Sequence, residues 1–412
     1  MLNRRGRQRT WGVSAMLLAG LASGLLTMVP KTAEAVPSFA RQTGQACVAC
    51  HTQPPRLNQF GREFKISGYR ANMIPLLHGA DIQENMPLSA RVRGDIRHNF
   101  DGDNETHVSA PDPIRLYVAG RMTEYTGVYV QALGDEDDRT EMQLSLANEF
   151  GDWTLGIAGG NVGFGRSDPY DTLSRGTGSQ LSRNVVSTYD REDLRSGSLR
   201  NRGTGGMAYA YGNGMYFGVG AFDTSGDEED LKDYAVRVAY EPQLGDGDAH
   251  IGAFWFQADK HDYRRRGDDS DATDRGRRMG VDASYQWDLG NGWKGDVLGV
   301  YLIGRQEVRG DVNAPAALGP DYNVDHSGWF VGATFHRGPW AFGLNYGQYE
   351  YEDDYSDRGT LVPGGTKVTS INPSVGWMFA PNARLGFDVE VLDNELSGYD
   401  DTRARMRFDI GF

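Results

Sequence analysis

The 412-residue chain has two cysteines, and both stand in Cys47-Val48-Ala49-Cys50-His51. Two thiols three positions apart, followed at once by an imidazole, form the attachment pattern of a c-type haem. Each thiol takes one vinyl group, and the adjacent histidine falls on the iron. Other uses of these residues ask for more than the sequence offers. A redox Cys-x-x-Cys wants a thioredoxin-like βαβ setting, which is not visible here. A structural zinc wants about four nitrogen or sulfur ligands, and only His51 and His78 lie near. The motif therefore implies one covalently bound haem c on Cys47 and Cys50, with His51 as proximal ligand. Met73 is the expected sixth ligand, with His78 and Met86 as alternatives in the same segment and His98 farther on. Methionine ligation raises a haem's potential, which suits a donor that gives up electrons reluctantly.

The elements that must position this motif are few. Short helices are expected over Gln45–His51 and Leu57–Tyr69, with Phe60 and Phe64 on one face of the second. The segment 36–87 is too small to wrap a haem by itself, since chains near this size are marginally stable. It must borrow its walls from the rest of the chain. Residues 1–35 read as a signal peptide. Arg4, Arg5, Arg7 and Arg9 precede an apolar run from Trp11 to Val29, and Ala33-Glu34-Ala35 supplies a small-residue cleavage site.

From residue 88 the pattern turns to period two. Tyr234, Val236, Val238 and Tyr240 alternate with Ala235, Arg237 and Ala239; Met279, Val281, Ala283 and Tyr285 alternate with Gly280, Asp282 and Ser284. Such alternation marks strands with one apolar and one polar face. Segments of about ten residues, aromatics near their ends and an aromatic Phe412 on the last strand favour a membrane barrel over a soluble sandwich. Strands are expected near 88–97, 114–123, 126–133, 141–149, 152–159, 204–212, 214–223, 232–241, 248–258, 277–288, 292–304, 327–336, 339–350, 366–378, 382–392 and 402–412. Asn213-Gly214 and Asn291-Gly292 mark tight hairpins, and short turns alternate with long loops. The expected fold is all-β: a sixteen-stranded antiparallel porin-like barrel over 88–412, with a small N-terminal helical cytochrome segment inside its lumen. The inner face is expected to be polar, and the loop 160–203 is a candidate to fold inward as a constriction.

Composition agrees with this class. A formal charge of −14 argues against a nucleic-acid partner, and past residue 35 no run is apolar for the ~18 residues of a membrane helix. Barrel closure would bring Arg91, Arg93 and Arg97 beside Arg403, Arg405 and Arg407 on one inner wall. Those guanidiniums either seat haem propionates or form a charge ladder with Asp95, Asp388, Glu390 and Asp409. Acidic clusters such as Asp135-Glu136-Asp137-Asp138 and Asp227-Glu228-Glu229-Asp230 fall in long loops, where they gather cations.

Two further stretches frame the haem motif: Val36-Pro37-Ser38-Phe39-Ala40-Arg41-Gln42-Thr43-Gly44 before it, and Phe60-Gly61-Arg62-x-Phe64-Lys65-x-x-Gly68-Tyr69 after it. Together they resemble the N-terminal signature of the fused outer-membrane monohaem cytochrome c–porins of iron-oxidising bacteria. The resemblance is specific over Pro37–Tyr69 and weak over the barrel. It implies one c-type haem on Cys47, Cys50 and His51, oxidation of extracellular Fe(II), and electron delivery to a periplasmic c-type cytochrome: an Fe(II):cytochrome c oxidoreductase in the outer membrane. A homotrimer is compatible with the strand count. Two rival readings stay open, an outward conduit to extracellular acceptors and a solute porin with a haem plug or sensor.

Overall fold

A computed structural model of the chain describes residues 38–45, 47–53, 56–70, 87–100, 104–133, 140–170, 172, 203–223, 231–260, 273–309, 322–351, 354–355, 361–362, 366–380, 382–394 and 401–411. The leader, the candidate ligands Met73, His78 and Met86, and the acidic clusters at 135–138 and 227–230 lie outside the described residues.

Sixteen antiparallel strands close into one barrel. In chain order they are β1 (Leu88–Asn99), β2 (Thr106–Arg121), β3 (Thr126–Leu133), β4 (Glu141–Phe150), β5 (Trp153–Gly160), β6 (Thr204–Gly212), β7 (Met215–Asp223), β8 (Asp233–Tyr240), β9 (Gly247–Lys260), β10 (Thr273–Gly290), β11 (Trp293–Arg309), β12 (Tyr322–Arg337), β13 (Trp340–Tyr351), β14 (Thr366–Ala380), β15 (Ala383–Asn394) and β16 (Asp401–Gly411). The last strand pairs with the first, Arg407 opposite Asp95 and Asp409 opposite Arg93, so no edge is left open.

Burial decides which solvent the barrel faces. Along β4, Glu141, Gln143, Ser145 and Ala147 are buried while Met142, Leu144 and Leu146 are about half exposed. Along β8, Asp233 and Arg237 are buried and Tyr234, Val236 and Val238 are exposed. Polar inside and apolar outside reverses the order of a soluble sandwich, and only lipid rewards it. Trp153, Trp287, Trp293, Trp340 and Trp377 sit on the outer face near the short turns, with Trp340 and Trp377 stacked at 5.8 Å. They form the aromatic belt of one membrane interface.

The hairpin turns follow their sequence chemistry. Asn213 and Gly214, and Asn291 and Gly292, all adopt positive φ, as mirror-type two-residue turns require. Strands β2, β10, β11 and β12 run further toward the long loops than the alternation marks. There both faces turn polar, and the ladder continues on cross-strand ion pairs such as Arg305 with Asp325 at 2.5 Å. A period-two hydropathy signal ends where lipid ends; the hydrogen-bonded ladder does not.

The inner face departs from a uniformly polar one. Phe254 and Phe256 of β9, Leu298, Val300 and Leu302 of β11, and Phe330 of β12 point inward and are buried. Part of the loop after β5 folds in to meet them. A short helix there (Phe164–Ser167) stacks Phe164 flat on Phe256, with centroids 5.6 Å apart.

Candidate functional site

The described part of the N-terminal segment, within 38–70, bonds to inward-facing residues of the wall. Its helices are α1 (Ser38–Thr43), α2 (Cys47–Cys50) and α3 (Gln59–Ile66), and the inward-folded Phe164–Ser167 is α4. The expected helices over 45–51 and 57–69 are thus shorter at both ends. Phe60 and Phe64 also part company: Phe64 is buried in a cluster with Phe39 and Tyr69, whereas Phe60 is 38% exposed.

Helix α2 is the Cys-x-x-Cys turn. One helical turn sets its first and fourth positions on one side, so the backbone presents Cys47 and Cys50 to the same side. His51 follows as the first residue of a small ribbon, His51–Gln53 against Arg56–Leu57. Cys50 and His51 are half-buried. Asn58 welds this turn to α3. Its backbone N–H donates to the Cys50 carbonyl at 2.9 Å, its Nδ2 donates to the Ala49 carbonyl at 2.9 Å, and its Oδ1 caps α3 by accepting from the Gly61 N–H at 2.9 Å. Gly61 permits the close approach, because a Cβ there would run into the Cys50 carbonyl oxygen. Gly61→Ala is expected to push α3 away from the motif at a cost of about 1–3 kcal/mol, the usual range for overpacking. Faster limited proteolysis within 38–70 with an intact barrel would register it; wild-type resistance would contradict the contact.

Ion pairs fasten the segment to the wall. Arg56 pairs with Asp296 of β11, and Thr52 Oγ1 donates to the same carboxylate at 3.3 Å. Arg56 Nη2 also reaches the Val297 carbonyl at 3.1 Å, and Gln286 Nε2 donates to the Leu57 carbonyl at 3.2 Å. Arg62 forks between Glu241 at 3.0 Å and Asp248 at 2.5 Å, with 1% of its surface exposed. Burial alone would lower the Arg62 guanidinium, but the two carboxylates outweigh it and hold it above its ordinary value. Across the lumen, Gln42 Nε2 donates to the Ala119 carbonyl of β2 at 2.7 Å, and Tyr209 of β6 donates to the Ile66 carbonyl at 2.6 Å. These wall residues lie in the half of the barrel nearer the short turns.

The inward loop closes the segment from the other side. Lys65 Nζ donates to the Arg166 and Asp168 carbonyls at 2.6 and 2.8 Å. Asp168 in turn pairs at 3.1 Å with Arg237 of β8, which also forks onto Asp282 of β10. His250 and Ser284 extend this chain, with His250 Nε2 2.9 Å from Asp282. Burial raises the Asp168 carboxyl pKa against the pull of Arg237. Tyr170 lies between two guanidiniums, Arg62 at 5.6 Å and Arg237 at 5.1 Å from its ring centre. Segment, loop and wall are therefore one buried charge network. No sequence motif announces Asp168, Arg237, His250 or Asp282; the last three are polar residues at inward strand positions, and Asp168 follows the short helix of the loop after β5.

The arginine wall forms as the closure of the barrel requires. Arg91 and Arg93 share Asp409 at 2.7 and 2.9 Å, and Arg405 forks onto Asp388 at 3.0 Å. The ladder with lumen acids is thus the arrangement present. His98 lies on the outer face beside Ile96 and bonds Thr106 at 2.8 Å, which removes it as a lumen ligand.

The donor set fits a c-type haem. Two thiol positions share one turn, the imidazole comes next, and the ribbon that carries it is pinned at Asp296. The next inward positions on β11 are Leu298, Val300 and Leu302, so an apolar stripe rises along the wall from the ribbon's anchor. The stripe belongs to the buried apolar cluster that the inward loop also joins through Phe164 and Tyr170.

No family model matches the chain, and no curated protein matches it. Solved barrels do. The trimer form of OmpT from Vibrio cholerae aligns with a TM-score of 0.50 at 10% identity, over 79% of this chain and 98% of that one. The anion-selective porin from Comamonas acidovorans aligns at 0.49 and 11% identity, over 79% and 98%. The channel DcaP of Acinetobacter baumannii aligns at 0.46 and 15%, over 79% and 96%. At these identities the likeness is one of fold. With its lipid-facing belt and closed ladder, the chain is a sixteen-stranded porin-type barrel of the outer membrane.

Proposed function

We propose that the chain is an outer-membrane electron conduit that oxidises extracellular Fe(II) through one haem c on Cys47 and Cys50 and passes the electron to a periplasmic cytochrome. One observation carries the reading: the Cys-x-x-Cys-His turn is pinned inside the barrel at the foot of an apolar inner stripe. When bound, the haem supplies one-electron redox chemistry, tuned by its axial ligands and its burial. The chain's own residues do the rest. His51 offers the proximal nitrogen, and Thr52 and Arg56 fix the ribbon that holds it. The arginine and lysine contacts of α3 keep the turn from swinging out of the lumen. The barrel isolates the route from lipid, and the long loops form the entry side for a polar cation.

The test is anaerobic stopped-flow mixing of oxidised, detergent-solubilised protein with Fe(II). Reduction of the haem's optical bands within seconds is expected. Bands that stay ferric across the working pH range would refute the oxidase reading. A barrel that conducts ions across liposomes while its haem ignores Fe(II) would favour a porin with a haem plug. That rival draws on the same plug contacts and on the barrel's likeness to channels.

A further inference from the structure

Charge is matched unevenly around the lumen. On the side that holds the plug, the carboxylates are met by cations: Asp296 has Arg56, Glu241 and Asp248 share Arg62, and Asp168 and Asp282 share Arg237. The wall made by β15, β16, β1 and β2 is different. By register, Arg384, Asp409 and Arg93 form one row across it, and Asp388, Arg405 and Arg97 form another. Arg407 and Asp95 lie between those rows, Arg403 and Glu390 lie beyond the second, and Arg115 stands beside Arg91. Counting the described side chains, eight guanidiniums thus stand among four carboxylates. One of the four, Asp409, already serves Arg91 and Arg93 together. Twice an arginine directly opposes another, Arg97 facing Arg405 and Arg91 facing Arg115. Like charges so placed weaken a ladder, so the wall keeps its positive surplus at a cost to the sheet.

The surplus is within reach of solutes. The Arg97 side chain is 44% open to solvent and that of Arg91 33%, and Arg115, Arg384, Arg403 and Arg407 are half-buried rather than closed. Guanidiniums facing water between low-dielectric walls gather anions and repel cations, and their planar fork pairs bidentately with phosphate-type oxygens. The bonds that fasten the plug fall on β2, β6 and β8–β11, so the wall's centre, on β15, β16 and β1, is not the plug's anchorage. We propose that this wall makes the lumen along it an anion-selective path, which takes small oxyanions of the phosphate class and passes them in preference to cations. The net charge of −14 would by itself favour cations, so the sign of the selectivity tells the wall from the bulk. The path belongs to the barrel and needs no electron transfer.

The experiment sets the full-length haem-loaded protein in planar bilayers at many copies, so that small currents past the plug are summed. Reversal potentials in a potassium chloride gradient should give a chloride-to-potassium permeability ratio of roughly ten or more. Inorganic phosphate should lower the chloride current by occupying the wall. Arg115→Gln/Arg384→Gln/Arg407→Gln spares the pairs on Asp388 and Asp409 and should bring the ratio to about one. Arg407→Gln alone should move it part of the way, and it carries the test where the triple variant does not fold. The haem-free Cys47→Ala/Cys50→Ala protein should keep the wild-type ratio and the phosphate block. A block seen only without haem would hand the wall to the haem propionates and overturn the proposal. Cation preference in the wild type, no current above the bare membrane, or an unchanged ratio in the arginine variants would overturn it as well. Anion selectivity in a protein whose haem ignores Fe(II) would fail the oxidase reading alone.

Discussion

Arg62→Leu is expected to unseat the plug. The wild-type guanidinium holds Glu241 and Asp248 and lies against the Tyr170 ring. Leucine keeps the bulk but leaves two carboxylates facing each other without a cation. Breaking one partner of a buried ion pair costs about 3–5 kcal/mol, largely because the other charge is left uncompensated. That is more than the remaining contacts of α3 can absorb without local opening, because Lys65 and Asn58 bond mainly to backbone carbonyls. Two measurements report it. Conductance in planar bilayers should rise from near-closed to long open events, and limited proteolysis should cut within 38–70 while the barrel resists. A triple variant, Arg62→Leu/Glu241→Gln/Asp248→Asn, should recover part of the closure, since no unpaired charge remains. If Arg62→Leu conducts and resists protease like the wild type, the pair does not hold the plug.

The barrel was legible because its code is local. Each spanning strand alternates apolar and polar residues over about ten positions, and turns such as Asn291-Gly292 punctuate it, so all sixteen strands could be located from the chain alone. Strand ends were less legible where lipid stops shaping the sequence, as at β2, which begins at Thr106. The Cys-x-x-Cys-His motif was legible because its chemistry demands a fixed spacing. What holds it was not. Arg62 meets Asp248, Arg56 meets Asp296, and Arg237 meets Asp168, across separations of up to 240 residues that only closure of the ladder brings together. The apolar inner stripe was hidden for another reason. On β11, Leu298, Val300 and Leu302 face inward while Tyr301 and Ile303 face lipid, so both faces are apolar and alternation vanishes. A strand that has lost its alternation marks a place where the lumen, too, is dry.

The largest effect is expected from removing both thiols. Cys47→Ala/Cys50→Ala leaves the ribbon, the Asn58 bonds and the Arg56 and Arg62 pairs intact, since none of them uses a sulfur atom. The barrel should fold, insert and show its usual heat-dependent gel mobility. Covalent haem should vanish: no peroxidase-stained band after denaturing electrophoresis, and no thioether-shifted haemochrome spectrum. Fe(II)-dependent reduction should fall to the uncatalysed background with it. The single variants should separate geometry from attachment. Loss of one thioether leaves a haem that is still bonded but free to swing, so reduced staining with broadened optical bands is expected for each. His51→Ala should instead retain the stain and change the axial spectrum, because the thioethers do not depend on the imidazole. A stained band from the double variant would place the haem elsewhere. A double variant that fails to reach the outer membrane would make the motif part of assembly, and the separate change of axial spectrum in His51→Ala would then carry the test.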